Sequence, residues 1–486
     1  MSLYLGIDIG TSAVKALVVD GDERLLAEAE IALALSRPEP GWAEQDPDAW
    51  WQATCEAIAS LRATLGARLS DVAAIGLSGQ MHGAVLLGSD DRPLAPAILW
   101  NDGRSVAECN ELNIGISGLA EATGVPAMPG FLLPKLLWLA RHRADLHARI
   151  AHVVLPKDYV RLKLTGTFAT DMCDAAGALL LDEARRDWWQ PALDAVGLHR
   201  EQLPRLLEGT DVSGNLTGSA AATLGLPAGI PVAAGGGDAA AGAVGIGSVN
   251  DGDSFISLGT SSQVFVTTAR YAPNPAALVH AFAHALPGRW FQMGAMLNGA
   301  SALAWFAQAI KAPIPELLAE VEAAAKPVSP VTFLPYLQGE RTPHNDADAR
   351  GVLFGMDGGA ARADLVQAVL EGVAFTLLDA QNALAVAGTS ATHYAFIGGG
   401  ARSLLWAEII ASALDKPLQL LKGGAKGPAF GAARLARIAL TGEDVATVCL
   451  RPDVEAEILP APDRRAALAE RYPLFRRLYS ALKPVY

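Results

Sequence analysis

The sequence predicts an α/β protein built from two similar lobes. Three observations lead there. Apolar strand-like runs alternate with helical stretches along the chain. One strand–turn–strand pattern occurs twice, about half the chain length apart. Glycine turns end several of the apolar runs. At 486 residues the chain is long enough for more than one domain.

The first copy of the pattern is Leu5-Gly6-Ile7-Asp8-Ile9-Gly10-Thr11-Ser12, followed by the apolar run from Ala13 to Val19. The second is Phe255-Ile256-Ser257-Leu258-Gly259-Thr260-Ser261, followed by Ser262 to Val266. Each reads as a β-hairpin. The copies differ at one telling position, where Asp8 of the first is Ser257 of the second. Only the first lobe therefore brings a carboxylate to its turn. Next, Asp46-Pro47 supplies an N-cap and a proline at the first helical position, opening a helix through Trp50, Trp51 and Ile58. Val72 to Ser78 is a strand that ends in Gly79-Gln80-Met81-His82-Gly83. Ala228 to Val249 is the most membrane-like stretch, but it is rich in Gly and Ala and carries Asp238. It reads as a buried strand, a turn and a tightly packed helix, not a spanning segment. Tyr394 to Ile397 is a strand ending in Gly398-Gly399-Gly400, with a helix from about Ser403. The lobe boundary is expected near 243–254.

Composition narrows the function. Asp and Glu number 51 against 38 Lys and Arg, a net charge of −13. A nonspecific nucleic-acid binder needs a basic face, so that class is set aside. A nucleotide is not, because backbone amides and one metal ion can hold its phosphates. With 51% hydrophobic and 18% charged residues, the chain is not globally disordered. Four dispersed cysteines form no CxxC pair, and the opening residues lack a signal-peptide pattern. A cytoplasmic location is expected, with no membrane association.

Three glycine turns are the chemical candidates. In the first, outward amides at Gly10 and Thr11 can cradle phosphate oxygens. Asp8 shares their side of the strand and would repel a phosphate unless a cation lay between, which suggests Mg²⁺. The alternative is a strand-end Asp bonding local amides. In the second, Gly235-Gly236-Gly237-Asp238 delivers one acid at the end of an apolar run. Asp238 suits a general base, and an N-cap role is the competing reading. A dinucleotide fingerprint also fits loosely but would set Asp238 against a pyrophosphate. The third, Gly398-Gly399-Gly400-Ala401-Arg402-Ser403, can receive a phosphate or ribose at a helix start, or simply allow close packing. The chain has no GxxxxGK[ST] motif, so phosphoryl transfer would have to use the hairpin turns. His280 and His284 have metal-ligand spacing, but their context alternates like a strand and no zinc site is expected.

Taken in order, these motifs make the chain resemble the FGGY carbohydrate kinases of the actin–hexokinase–Hsp70 superfamily, from residue 4 to about residue 440. Lys135 to His142 resembles the core of the family's first signature, with Leu132 where Pro, Ser or Thr is usual. Gly351 to Met356, followed by Asp364-Leu365 and Ala368 to Glu371, resembles the second. Four further segments resemble the branch acting on D-xylulose: Gly41 to Pro47, Ser78 to Gly83, Trp100-Asn101-Asp102-Gly103-Arg104 and Gly339-Glu340-Arg341-Thr342-Pro343-His344.

The resemblance implies two ribonuclease-H-like lobes around a cleft: residues 1–246 binding the sugar and 247–486 binding ATP. It implies ATP-dependent phosphorylation of D-xylulose with Mg²⁺, and leaves another ketose or polyol, a non-catalytic regulator and a homodimer open. Asp238 would be the base, and Asp8 with Asp238 would hold the metal. Met81, His82, Trp100 and Asp102 would contact the sugar. Gly10, Thr11, Lys15, Gly259 and Thr260 would face the phosphates, with Gly399, Gly400 and Ala401 near the adenosine. One departure stands out: Ala239 replaces the Asn usual after the catalytic Asp, and losing one amide hydrogen bond costs roughly 0.5–1.5 kcal/mol.

Overall fold

Each lobe grows outward from its hairpin in the computed structural model, which describes residues 2–422 and 427–486. Leu3–Ile9 pairs antiparallel with Ala13–Val19, setting Asp8 opposite Lys15. Ser254–Leu258 pairs likewise with Ser262–Thr268, setting Ser257 opposite Gln263. A third antiparallel strand follows in each, Leu25–Ala32 in the first and Trp290–Met296 in the second. On the other flank the pairing turns parallel. Val72–Gly79 and then Pro231–Ala233 extend the first sheet, and Tyr394–Ile397 and then Leu418–Leu421 extend the second. An antiparallel edge strand completes each, Val212–Asn215 and Val454–Ile458.

The two sheets thus share strand order and direction, as an internal duplication requires. They differ at the margins. The first edge strand precedes its neighbour in the chain and the second follows it. Gly236–Gly237 adds a short parallel pairing to the first sheet, and His280–Ala283 adds an outer strand to the second. His280 therefore lies in a strand, as its alternating context predicts.

The helices begin where their sequences provide caps. Pro47–Leu65 starts on Asp46, whose carboxylate accepts from the Asp48 amide. Leu404–Leu414 starts on Ser403. The helix Gly427–Thr441 belongs to the second half of the chain but packs on the first sheet. Gly6 and Gly76 face the carbonyls of Ala429 and Ala432 so closely that any Cβ would collide with them. Arg434 on that helix ties the halves together. It donates to both Glu23 oxygens at 2.7 Å, to the Val244 carbonyl at 2.8 Å and to the Leu450 carbonyl at 2.9 Å. Among the described residues, no helix is long and apolar enough to cross a membrane.

Candidate active site

The first turn is held by a polar latch. Gln80, just past the strand Val72–Gly79, accepts from the Thr11 hydroxyl at 2.9 Å and donates to the Gly10 carbonyl. Gln45 donates to the Thr11 carbonyl at 2.7 Å, and the Trp100 indole donates to the Thr11 hydroxyl at 2.9 Å. The Thr11 hydroxyl is thus committed to protein partners. What the turn keeps free is backbone: the Thr11 and Ser12 amides donate to no described residue. Sequence reasoning recorded Gln45 and Gln80 within motifs without seeing that they meet.

Asp8 stands beside this turn with Oδ1 buried and without a hydrogen-bond partner. Burial first, then repulsion from Asp238, push its carboxyl up to about 7. Ser78, its neighbour on the parallel strand, lies close enough to pull the other way but falls short of hydrogen-bonding geometry. Lys15 also pulls the carboxyl down, but its ammonium is exposed and paired with Glu28 at 3.2 Å.

Asp238 is the first residue of the helix Asp238–Gly245, with Gly237 at the cap position. Its Oδ1 accepts from the Ala239 amide at 2.7 Å. The N-cap reading therefore fails by one residue. The side chain is open to water yet ringed by protein, a cleft-floor setting, and partial desolvation lifts it to about 6. The Asp238 charge bears on Asp8, whereas Asp238 itself is raised by its burial. Two raised carboxylates, one with an orphaned oxygen, form an all-oxygen donor set that fits a small divalent cation.

The sugar-side candidates adjoin this pair. Met81 packs on Gly237, where a Cβ would lie 2.6 Å from its Cγ. His82 is held in a left-handed conformation (φ 70°) and its Nδ1 lies 2.8 Å from the Gly177 carbonyl. That bond makes Nδ1 the protonated nitrogen and leaves Nε2 as an acceptor. Burial, with the nearby Lys135 and Arg341 charges, holds the ring neutral. Lys135 itself is fully buried and donates to the carbonyls of Gly130, His82 and Ile98.

Asp102 has a different task from the one expected of it. Its carboxylate is buried, accepts from the Ala43 amide at 2.6 Å and chelates Arg104 at 2.7 and 2.9 Å. Arg104 in turn lies 3.6 Å from the Trp42 ring centre. Asp102 fixes a loop and has no oxygen to spare for a sugar. Ala239 is buried in the core cluster.

In the second lobe, the Thr260 amide and hydroxyl engage no described residue; the amide matches that of Thr11, whereas the Thr11 hydroxyl is committed to Gln80 and Trp100. Gly299 packs so tightly on this turn that a Cβ would lie 2.6 Å from the Ser261 carbonyl, and the helix Ala300–Ile310 begins there. A helix N-terminus thus abuts the turn, a favourable place for phosphate charge that the sequence reading missed. Gly398 (φ 94°) and Gly400 pack on Leu258, which joins the third glycine turn to the second hairpin. Gly399 faces open space, and Ala401 is half-buried beside it.

Behind the first-lobe site lies a charged cluster that sequence reasoning also missed. Lys157 Nζ sits 2.7, 2.6 and 3.0 Å from carboxylate oxygens of Asp158, Asp171 and Asp174. Arg161 joins Asp158 at 3.0 Å and donates to the carbonyls of Ala233 at 3.0 Å and Ala234 at 2.5 Å. Those carbonyls immediately precede the turn that delivers Asp238. The clue was Lys157, Asp158 and Arg161 in a segment flanked by apolar residues, but their partners come from elsewhere in the chain.

Two lobes with facing-type hairpins, a paired carboxylate site and amide-rich turns define a phosphoryl-transfer protein of the sugar-kinase and actin-like class. The family comparison makes this specific. The N-terminal domain of the FGGY family of carbohydrate kinases matches residues 3–245, and its C-terminal domain matches residues 254–440. The chain belongs to this family. Xylulose kinase of Escherichia coli strain K12 is 45% identical over 486 residues, covering 99% of this chain and 100% of that protein. A crystal structure described as a xyloylose kinase from Brucella ovis superposes with a TM-score of 0.96 at 47% identity, covering all of both chains. Gluconate kinase from Lactobacillus acidophilus gives a TM-score of 0.93 at 27% identity, covering 99% of this chain and 98% of that one. One backbone therefore serves chemically different sugars, and side chains must select among them.

Proposed function

We propose that the chain transfers the γ-phosphoryl group of ATP to the terminal hydroxyl of D-xylulose, giving ADP and D-xylulose 5-phosphate. The observation that carries this reading is Asp238, a water-accessible carboxylate at a helix start, beside Asp8 on one side and the Met81–His82 corner on the other. The names of the relatives at 45% and 47% identity support the choice of sugar.

Asp238 would accept the proton from the sugar hydroxyl as its oxygen attacks phosphorus and the bond to the ADP oxygen breaks. With its carboxyl near 6, it is ionised at neutral pH yet basic enough to take that proton. Asp8 and Asp238 would hold Mg²⁺, which when bound neutralises phosphate charge. The free amides of Thr11 and Ser12, and the amide and hydroxyl of Thr260, would hold phosphate oxygens from the two lobes. Gly399, Gly400 and Ala401 would line the adenosine end. His82 would accept a sugar hydroxyl on Nε2, while Trp100, with its indole N–H committed to Thr11, would offer the sugar its ring face. On this reading 1–246 is the sugar lobe and 247–486 the ATP lobe, with Gly427–Thr441 returning to brace the first sheet. Four cysteines without a disulfide fit a reducing cytoplasm.

The test is ADP release at fixed ATP with D-xylulose, D-ribulose, L-ribulose, L-xylulose, D-fructose, glycerol and a no-sugar blank. D-xylulose is expected to lead by about tenfold or more in kcat/KM, a gap within reach of one misplaced hydroxyl. A different leading sugar overturns the substrate. No sugar-dependent ADP release overturns the kinase reading itself.

A further inference from the structure

Near the sugar corner, the Arg341 guanidinium lies over an aromatic ring but has no hydrogen-bond or ion-pair partner among the described residues. The loop from Gly339 to His344 belongs to the second lobe and is firmly braced. The Glu340 carboxylate accepts from the Leu297 amide at 2.7 Å and the Arg341 amide at 2.9 Å. The Thr342 hydroxyl accepts from the Ala295 amide at 3.1 Å and donates to the Leu278 carbonyl at 3.0 Å. His344 stacks on Tyr479 of the C-terminal helix with ring centres 3.6 Å apart.

From this fixed backbone, Arg341 reaches toward the first lobe. Its Cζ lies 5.5 Å from the centre of the Trp100 ring, and its Nη2 is 3.4 Å from where a Gly130 Cβ would stand. Its charge contributes to the low proton affinity of His82 and His280. Asp8 and Asp238, at the reacting end, do not count it among the charges that shift them. Arg341 therefore belongs to the His82 end of the cleft.

Its guanidinium makes no hydrogen bond or ion pair with any described residue, although the side chain is half-buried. The contrast with its peers is sharp. Arg104, Arg161 and Arg434 are each buried, and each spends its guanidinium on several protein oxygens. Lys135, next to the same corner, is likewise committed to three carbonyls. A half-buried guanidinium with five unspent donors, held on a rigid loop over an aromatic ring, is suited to accepting a ligand's oxygens.

We propose that Arg341 is a specificity-determining residue that donates hydrogen bonds to the carbonyl end of the bound ketose from the second lobe. This rests on the sugar-kinase reading above. The chemistry is complementary. A ketone oxygen only accepts and a guanidinium only donates, so the two match without any hydroxyl having to turn. His82 Nε2 only accepts, so it matches a neighbouring hydroxyl and not the ketone. Together they read one carbonyl and one hydroxyl, at the end remote from Asp238. The corresponding polyol presents a hydroxyl there, which can accept from Arg341 only after turning its own hydrogen away and off the planar carbonyl geometry.

The experiment compares wild type, Arg341→Met and Arg341→Lys, with D-xylulose as substrate and xylitol as competitive inhibitor. Losing a charge-assisted hydrogen bond is expected to raise the KM for D-xylulose about 10- to 100-fold in Arg341→Met. The KM for ATP should stay within about twofold and the Ki of xylitol within about threefold, so that ketose and polyol are no longer told apart. Arg341→Lys keeps the charge and one donor direction and should recover part of the loss. Direct titration of nucleotide-free enzyme with D-xylulose, followed by tryptophan fluorescence, should show the same shift. A KM for D-xylulose within about twofold of wild type in Arg341→Met overturns the proposal. So does an equal weakening of ATP or of xylitol. If Arg341→Met does not fold, an unchanged KM in Arg341→Lys overturns it equally. Should wild type turn over a different ketose and not D-xylulose, the substrate reading falls, and the same three proteins are tested with that ketose and its polyol.

Discussion

Two groups of carboxylates lie within the first lobe, and they are built to opposite ends. Asp158, Asp171 and Asp174 surround the Lys157 ammonium, with Arg161 alongside, and all five side chains are fully buried. Asp8 is repelled by Asp238, and among the described residues neither makes an ion pair; the one cation that bears on Asp8 is the exposed Lys15, which is paired with Glu28. The three-acid cluster has the donor spacing of a metal site, yet an ammonium already stands at its centre. The two-acid site has fewer ligands but an unmet charge. Donor spacing alone would choose the wrong site. What separates them is whether the protein supplies its own counter-charge, and on the proposed function the pair that lacks one takes its ion with the substrate.

The largest effect that would break this contrast is on turnover. Asp238→Ala removes the proposed general base, and kcat is expected to fall about 10²- to 10⁴-fold. Circular dichroism should be unchanged, because Asp238 contributes one local bond to the Ala239 amide and little packing. Near-normal turnover in this variant would mean that the open pair is not the reacting site.

Lys157→Met should act on the other cluster and on a different observable. Removing one partner of a buried ion group costs about 3–5 kcal/mol, since the remaining charges stay buried. The denaturation midpoint should drop accordingly. Activity should also fall, because Arg161 anchors the carbonyls just before the Asp238 turn. A variant as stable as wild type would show that the ammonium is not the cluster's counter-charge.

How much of this was legible in the sequence follows from range. The hairpins, the Asp46 cap and the helix after Ser403 are local, and their residues announce them. The glycine turns and both carboxylates of the open pair were also readable, because Asp8 and Asp238 each stand alone at the end of an apolar run. The Lys157 cluster was not, since its charges come from two separated segments and nothing local says they meet. Asp102 was assigned to the sugar because its segment is familiar, but a partner two residues away, Arg104, takes it. The return of Gly427–Thr441 to the first sheet leaves its trace only in Gly6 and Gly76, which a sequence reader takes for strand glycines.

Asp8→Asn sharpens the contrast by sign. Asp8 has a folded-state pKa near 7, above its ordinary 3.8. The stability linked to that shift is fully present below about pH 4 and is lost as pH rises through 7. An Asn cannot ionise, so the variant should melt above wild type at pH 8 and level with it at pH 4. Mg²⁺ should raise the wild-type melting temperature at pH 8, by mass action worth about 2.7 kcal/mol at 100 times Kd. It should leave Asp8→Asn nearly unmoved, while turnover of that variant collapses. A variant less stable than wild type at pH 8 would mean that Asp8 is already paired in the folded protein.

The smallest effect is the most discriminating, because it lies inside the filled cluster. Two cations cannot balance three ionised acids, so one of the three is expected to carry a proton. Burial, with repulsion from Asp158 and Asp171, raises Asp174 well above the carboxylate range, and Lys157 alone does not bring it back. Asp158 is held below the range despite its burial, by Lys157 and Arg161 together. A protonated carboxyl is close in shape and polarity to an amide. Asp174→Asn should therefore shift stability by no more than about 1 kcal/mol, whereas Asp158→Asn should cost about 3–5 kcal/mol by leaving cations underbalanced. Equal penalties for the two would mean that the charge is shared evenly around Lys157. The cluster would then carry a net negative charge toward the Asp238 turn, and the difference between the filled and the open site would be one of degree.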